Sequence, residues 1–154
     1  MRIEINVKKG SINVSKMMRK IQENTVNLTV NEFERLVKEK TPVDTGDLRS
    51  SWHHHINKLE GNVYTSKDYA EYVEEGTGVH GPKEEPIRPA RANVLAFQPH
   101  DPGKFADIIA QDGYVYLTES KGQKPAHMVK DSIEEIGNHL PKLVMQAIDK
   151  AGAD

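Results

Sequence analysis

Between Val14 and about Lys40, the apolar residues Val14, Met17, Ile21, Leu28, Phe33, Leu36 and Val37 recur at near-helical intervals. That spacing puts them on one face of a long amphipathic helix. The middle of the stretch, ENTVNLTVNE, is rich in β-branched residues and Asn, so its intrinsic helix propensity is weak. Only burial of the apolar stripe against the rest of the chain can hold such a helix. Thr41-Pro42 ends it, because a proline disfavours helical geometry in the residue before it. Whatever else the chain builds must therefore cover one side of this element.

The flanking segments supply candidates for that cover. MRIEINV alternates, with Ile3, Ile5 and Val7 on one face, and reads as a first strand. Lys8, Lys9 and Gly10 break it, and Ser11 and Asn13 can cap the helix that follows. LRSSWHHHIN and NVYTS, joined through residues 57–62, read as two antiparallel strands. DYAEYVEEGT reads as a short helix that stops at Gly76. Residues 77–91, with two Gly, three Pro and mixed charge, form an exposed loop. RANVLAF and GYVYLTES pair as a hairpin across the long insertion 98–113. Val129, Ile133, Ile136, Leu140, Leu143, Val144, Ala147 and Ile148 give a one-faced helix over 127–150, with a kink expected at Gly137 and Pro141. The sum is an α+β fold, in which an antiparallel sheet of about four to five strands is packed by a long N-terminal helix and a C-terminal helix. At 154 residues this makes one domain spanning 1–154.

Composition narrows the function classes. Only 36% of the chain is hydrophobic and 29% is charged, which is thin for an isolated globule and suits a protein whose neighbours cover part of its surface. A net charge of −2 without a basic stripe argues against a nucleic-acid binder. With no cysteine, disulfides and Cys-based zinc sites are impossible. No apolar run of the ~20 residues a membrane span needs occurs, nor does a signal peptide, so a soluble protein folding in a reducing cytoplasm is expected.

Each chemical candidate in the sequence has a plainer reading. On a strand, His53 and His55 share a face and can chelate a metal, but further ligands among His80, His100, His127 and His139 have no evident place beside them. An exposed polar strand face is the plainer reading. Ser50 or Ser51 with a His and with Asp44 or Asp47 imitates a hydrolase triad but lacks a nucleophile elbow. Glu74-Glu75 and Glu84-Glu85 read as solvated charge, and GTGVHG lacks the residues that complete a phosphate cradle. Lys83, Arg88 and Arg91 are interleaved with acids. No catalytic residue, cofactor or metal site is assigned, and the chain is expected not to be an enzyme. An interaction surface remains. Asp44 and Thr45 build a turn with Gly46, and Arg49 offers a fork of donors to a partner carboxylate. Tyr69 and Tyr72, three apart, can share a helical face with Val73 as an aromatic anchor, or pack on the domain's own sheet. Glu75, Thr77, His80 and Arg88 complete the candidate interface.

The order TPVDTGDLRSSW, VYTSKDYAEYVEEGT, IRPARANVLAF and AHMVKDSI resembles the small neck proteins of tailed bacteriophages, in the head–tail joining and tail-completion group. The likeness runs from about residue 41 to 136. The chain departs at Glu119-Ser120-Lys121-Gly122, where the family often has His-Pro-Gly, and at Ala126-His127-Met128, where it often has Pro-Phe. The resemblance implies a structural virion protein, assembled in the host bacterial cytoplasm. It would form or join a homo-oligomeric ring of roughly six or twelve copies between portal-side and tail proteins. Genome DNA would pass through the lumen without specific binding, and no membrane is involved. A tail terminator capping the tail tube is the alternative within the class, and a His-based metal protein or enzyme the alternative outside it.

Overall fold

The computed structural model describes residues 14–152. The expected first strand and the Ser11 and Asn13 caps lie outside them. Helix α1 spans Val14–Lys40, followed by a single helical turn α2 at Asp47–Ser50. Strands β1 (Trp52–Asn57) and β2 (Glu60–Thr65), the short helix α3 (Ala70–Glu75), strands β3 (Leu95–Phe97) and β4 (Val115–Leu117), and helix α4 (Met128–Gly152) complete the fold.

Helices α1 and α4 pack antiparallel. Thr41 at the C-terminal end of α1 meets Met128 at the start of α4, and near the other end Asn24 donates to the Ala147 carbonyl. Burial of Leu36 and Val37 on α1 and of Met128, Leu143 and Ala147 on α4 is what holds the weak-propensity helix α1 together. Helix α4 continues through Pro141 without interruption, so the expected bend does not break the element.

The β1–β2 hairpin lies across α1 and turns on Lys58-Leu59, a tighter connection than the sequence implies, with Lys58 at φ 54. Its register pairs Trp52 with Thr65 and His54 with Val63. Strand β2 approaches α1 so closely that a Cβ on Gly61 would stand 2.2 Å from a Val30 methyl. Only glycine fits there.

The expected sheet of four to five strands is corrected. Among the described residues there are two separate two-stranded antiparallel sheets, β1–β2 and β3–β4. The physical reason is length and placement: β3 and β4 are three residues each, and their hairpin pairs with itself instead of extending β1–β2. Helix α1, not further strands, covers the β1–β2 face.

One core cluster joins the parts. Val37, Leu48, Trp52, Ala70 and Met128 are buried together, with Phe33, Val63, Val73 and Val129 packed against them. The Trp52 indole donates to the Thr41 hydroxyl at 3.1 Å, which itself donates to the Val37 carbonyl at 2.6 Å. The last turn of α1 is thus closed by a side-chain hydrogen bond and sealed by an aromatic ring.

Candidate functional site: a surface built around helix α3

The two conspicuous stretches, TPVDTGDLRSS and YAEYVEEGT, converge on α3. Its inner side, Ala70 and Val73, joins the core beside Leu48 of the first stretch. Its outer side leaves Tyr69 and Tyr72 exposed, at 43% and 63%. They do not form one patch. Tyr69 opens on a depression lined by Pro42, Asp44, Thr45 and Leu48. Tyr72 lines a neighbouring groove with Glu75, Thr77, Pro82, Ile87 and Arg88. His80 borders a third hollow with Glu74, Glu75 and His127. Apart from Arg49, which lines none of them, the candidate interface residues therefore surround one short helix, distributed over three depressions.

Their local roles differ. The Thr45 hydroxyl accepts from the Asp47 amide, closing the turn before α2. Asp44 is exposed and stands 3.3 Å from His100 Nδ1. Arg49 spends part of its fork at home, donating to the Thr41 carbonyl at 2.9 Å and so satisfying an orphan acceptor at the end of α1. Arg88 pairs with Glu119 at 3.1 Å in an exposed bridge, a kind worth little by itself.

The loop 77–91 is more tightly held than its composition implies. Residues 120–127 run beside it and hydrogen-bond it at successive points. The Thr77 amide donates to Gln123 O at 2.8 Å, the Val79 amide to Lys121 O at 2.9 Å, and Ile87 and Ser120 exchange both backbone bonds. Further along, Ala126 and His127 donate to the carbonyls of Val73 and Glu74. The two chains cross at glycine. A Cβ on Gly122, at φ +79, would lie 2.2 Å from the Thr77 carbonyl oxygen, and one on Gly78 would lie 2.3 Å from that of Lys121. This close crossing accounts for the glycines that otherwise resemble a phosphate cradle.

Pattern reading missed Glu74. Its carboxylate accepts from the amides of Val129 and Lys130 at 2.8 and 2.9 Å, capping the first turn of α4 from another element. It also places a negative charge at the positive end of the helix. No short-range signal marks the role, because the cap reaches across 55 residues.

The chemical candidates are also placed. His53 and His55 face outward on β1, whereas His54 turns inward and pairs with Glu34 of α1. Among the described residues no group of three or more His, Asp or Glu side chains gathers as a metal site. The Ser50 and Ser51 hydroxyls donate to the backbone carbonyls of Asp47 and Leu48, and Ser51 also meets Thr65 Oγ1 at 2.6 Å. Among the described residues no helix is long and apolar enough to cross a membrane.

Residues 8–76 match the HK97-gp10-like family model, described as "Bacteriophage HK97-gp10, putative tail-component". Over that stretch the chain is similar to a family of phage tail components. The match contains α1, the β1–β2 hairpin and α3, and with them Tyr69, Tyr72 and the core cluster except for Met128 and Val129 of α4. It bears out the resemblance to phage neck and tail-completion proteins and supports a structural, tail- or neck-related role in the virion. No curated protein and no solved structure matches the chain closely enough to add a comparison.

Proposed function

We propose that this phage structural protein acts at the head–tail junction, where it forms or joins a ring connecting portal-side proteins to the tail. It works through protein contacts, with no catalytic step and no cofactor. The observation that carries this reading is the family match ending at Gly76, the glycine that leads from α3 into the groove where Tyr72 and Ile87 stand exposed. An exposed tyrosine between apolar and charged neighbours is the usual anchor of a protein interface. The groove combines it with acids (Glu71, Glu75, Glu85) and bases (Lys83, Arg88), a mixed field that suits a protein partner better than phosphates. A net charge of −2 is compatible with a lumen that lets DNA pass without holding it.

A tail terminator is the second reading, favoured by the description of the matching family as a tail component. Copy number per particle separates the two, with roughly six for a terminator-like cap and roughly twelve for a portal-matched ring. The interface is tested with Tyr72→Ser in the phage or prophage that encodes the chain. The variant folds as the parent does, because the ring is exposed, but its partner contact weakens by ~2 kcal/mol or more, and electron micrographs of lysates show heads and tails apart. Joined, infectious particles at parental yield would remove the groove from the interface.

A further inference from the structure

The groove beside α3 is acidic once its local pairing is taken into account. Arg88 is held by Glu119 at 3.1 Å, so its charge is already answered. Glu71, Glu75 and Glu85 are exposed, and among the described residues no hydrogen bond or ion pair engages their carboxylates. The Lys83 ammonium is likewise unpaired. Three negative charges against one positive leave the groove at −2. Between these charges stand Tyr72, 63% exposed, and Ile87, 39% exposed. A volume of about 520 Å³ is that of a ligand cleft, suited to the side chains of one segment and not to the face of a domain. Its walls are fixed in advance. Ile87 and Ser120 exchange both backbone bonds, and a Cβ on Gly76 would stand 2.8 Å from the Gln123 carbonyl oxygen. A preformed groove loses little to ordering when it binds.

The same sequence holds a segment of matching chemistry ahead of α1. In residues 2–9, Ile3, Ile5 and Val7 alternate with Arg2, Glu4 and Asn6, and Lys8 and Lys9 follow. Three positive charges against one negative give this segment +2. Laid extended along a groove, it would set its three aliphatic side chains on one side. Its own groove is out of reach. Glu74 of α3 caps α4 where Met128 meets Thr41, so the groove belongs to the C-terminal end of α1. Val14 stands at the other end of that 27-residue helix, roughly 39 Å away at 1.5 Å per residue. From Val7 to Val14 is seven residues, at most about 25 Å of chain.

We propose that residues 2–9 of one copy lie in the α3 groove of the next copy. The proposal rests on the ring reading above and deepens it by naming what the groove holds. Ile3, Ile5 and Val7 cover Tyr72 and Ile87, while Lys8 and Lys9 meet the unpaired acids. Two different surfaces at opposite ends of α1 make a head-to-tail contact, which closes into a ring or grows as a filament. The opposite charges set the direction of docking and make it sensitive to salt.

The test uses the full chain, with native mass spectrometry and light scattering. A segment variant (Lys8→Glu with Lys9→Glu) and a groove variant (Glu71→Lys with Glu75→Lys) each set like charges against one another. Each is expected to raise the concentration needed for self-assembly by at least ~10-fold. A chain carrying all four changes restores the complementarity and should assemble nearly as the parent does, a recovery that lost folding could not give. Should either reversal unfold the chain, Lys8→Ala with Lys9→Ala and Glu71→Gln with Glu75→Gln replace them, with the loss read at low salt. Variants that assemble like the parent, or a folded four-change chain that stays monomeric, would overturn the contact while leaving the ring itself standing. So would a groove variant that self-assembles normally yet fails to join heads to tails, because the groove would then serve another protein. A parent chain that never assembles would overturn both.

Discussion

Glu74 looks, in the sequence, like half of a solvated acidic pair, and in the fold it caps a helix that begins more than fifty residues later. Replacing it with Ala would orphan the Val129 and Lys130 amides and is expected to lower stability by about 1 kcal/mol, measured by urea unfolding. Gln, which retains one acceptor, should lose less. Equal stability of both variants and the parent would show that water serves those amides as well. Gly122 is a sharper case. A methyl group there meets the Thr77 carbonyl within 2.2 Å at a positive φ, so Gly122→Ala should cost on the order of 1–3 kcal/mol and free the 77–91 loop to amide exchange. Neither role is legible from local pattern, since both depend on a strand-like crossing of distant segments. By contrast, the Thr41-Pro42 stop and the Asp44-Thr45-Gly46 turn were legible, because their causes lie within a few residues of backbone.

At the scale of elements, α1 and the α1–α4 pairing depend on packing plus a charge network along the seam. Glu32 accepts from Arg35 and from His139 of α4, and Lys40 reaches Glu135 of α4 at 2.7 Å. The Arg35 guanidinium beside Glu32 holds its carboxyl below its usual value, against the opposing effect of burial, and His139 adds to the lowering. Burial pushes Glu34 up, but hydrogen bonds from His54 and Lys38 outweigh it and leave that carboxyl lowered too. A depressed folded-state pKa contributes stability that is present above the ordinary value near 4.5 and lost as pH falls through the folded value. Melting temperatures of the parent and of Glu32→Gln should therefore differ most at neutral pH and converge as pH falls below the ordinary carboxyl value and through the lowered folded one. A gap that stays constant down to acid pH would contradict the pairing. The apolar periodicity announced α1 and α4 to within two residues, and the alternation around the His run announced β1–β2, although Leu48–Ser50, read as the start of that strand, form the helical turn α2. The number of strands in one sheet was not legible, because pairing between hairpins is a long-range choice that three-residue strands barely encode.

At the scale of the whole molecule, a modest core leaves much apolar surface bare, between β3 and β4, at the start of α1 and around α3. That distribution fits the thin hydrophobic composition and a chain completed by its neighbours. The candidate surface was partly legible: the sequence singled out Tyr69, Tyr72 and the residues beyond Gly76 as an interface, and the fold gathers them around one helix. What periodicity left out was their division over separate depressions, which only the tertiary arrangement reveals. The central claim, a structural protein of the head–tail junction, is tested most directly by locating the chain in purified particles, with labelled antibody and copy counting by quantitative mass spectrometry. A fixed number of roughly six or twelve copies at the neck is expected. Particles that join and infect without the chain, or label found elsewhere in the virion, would contradict it.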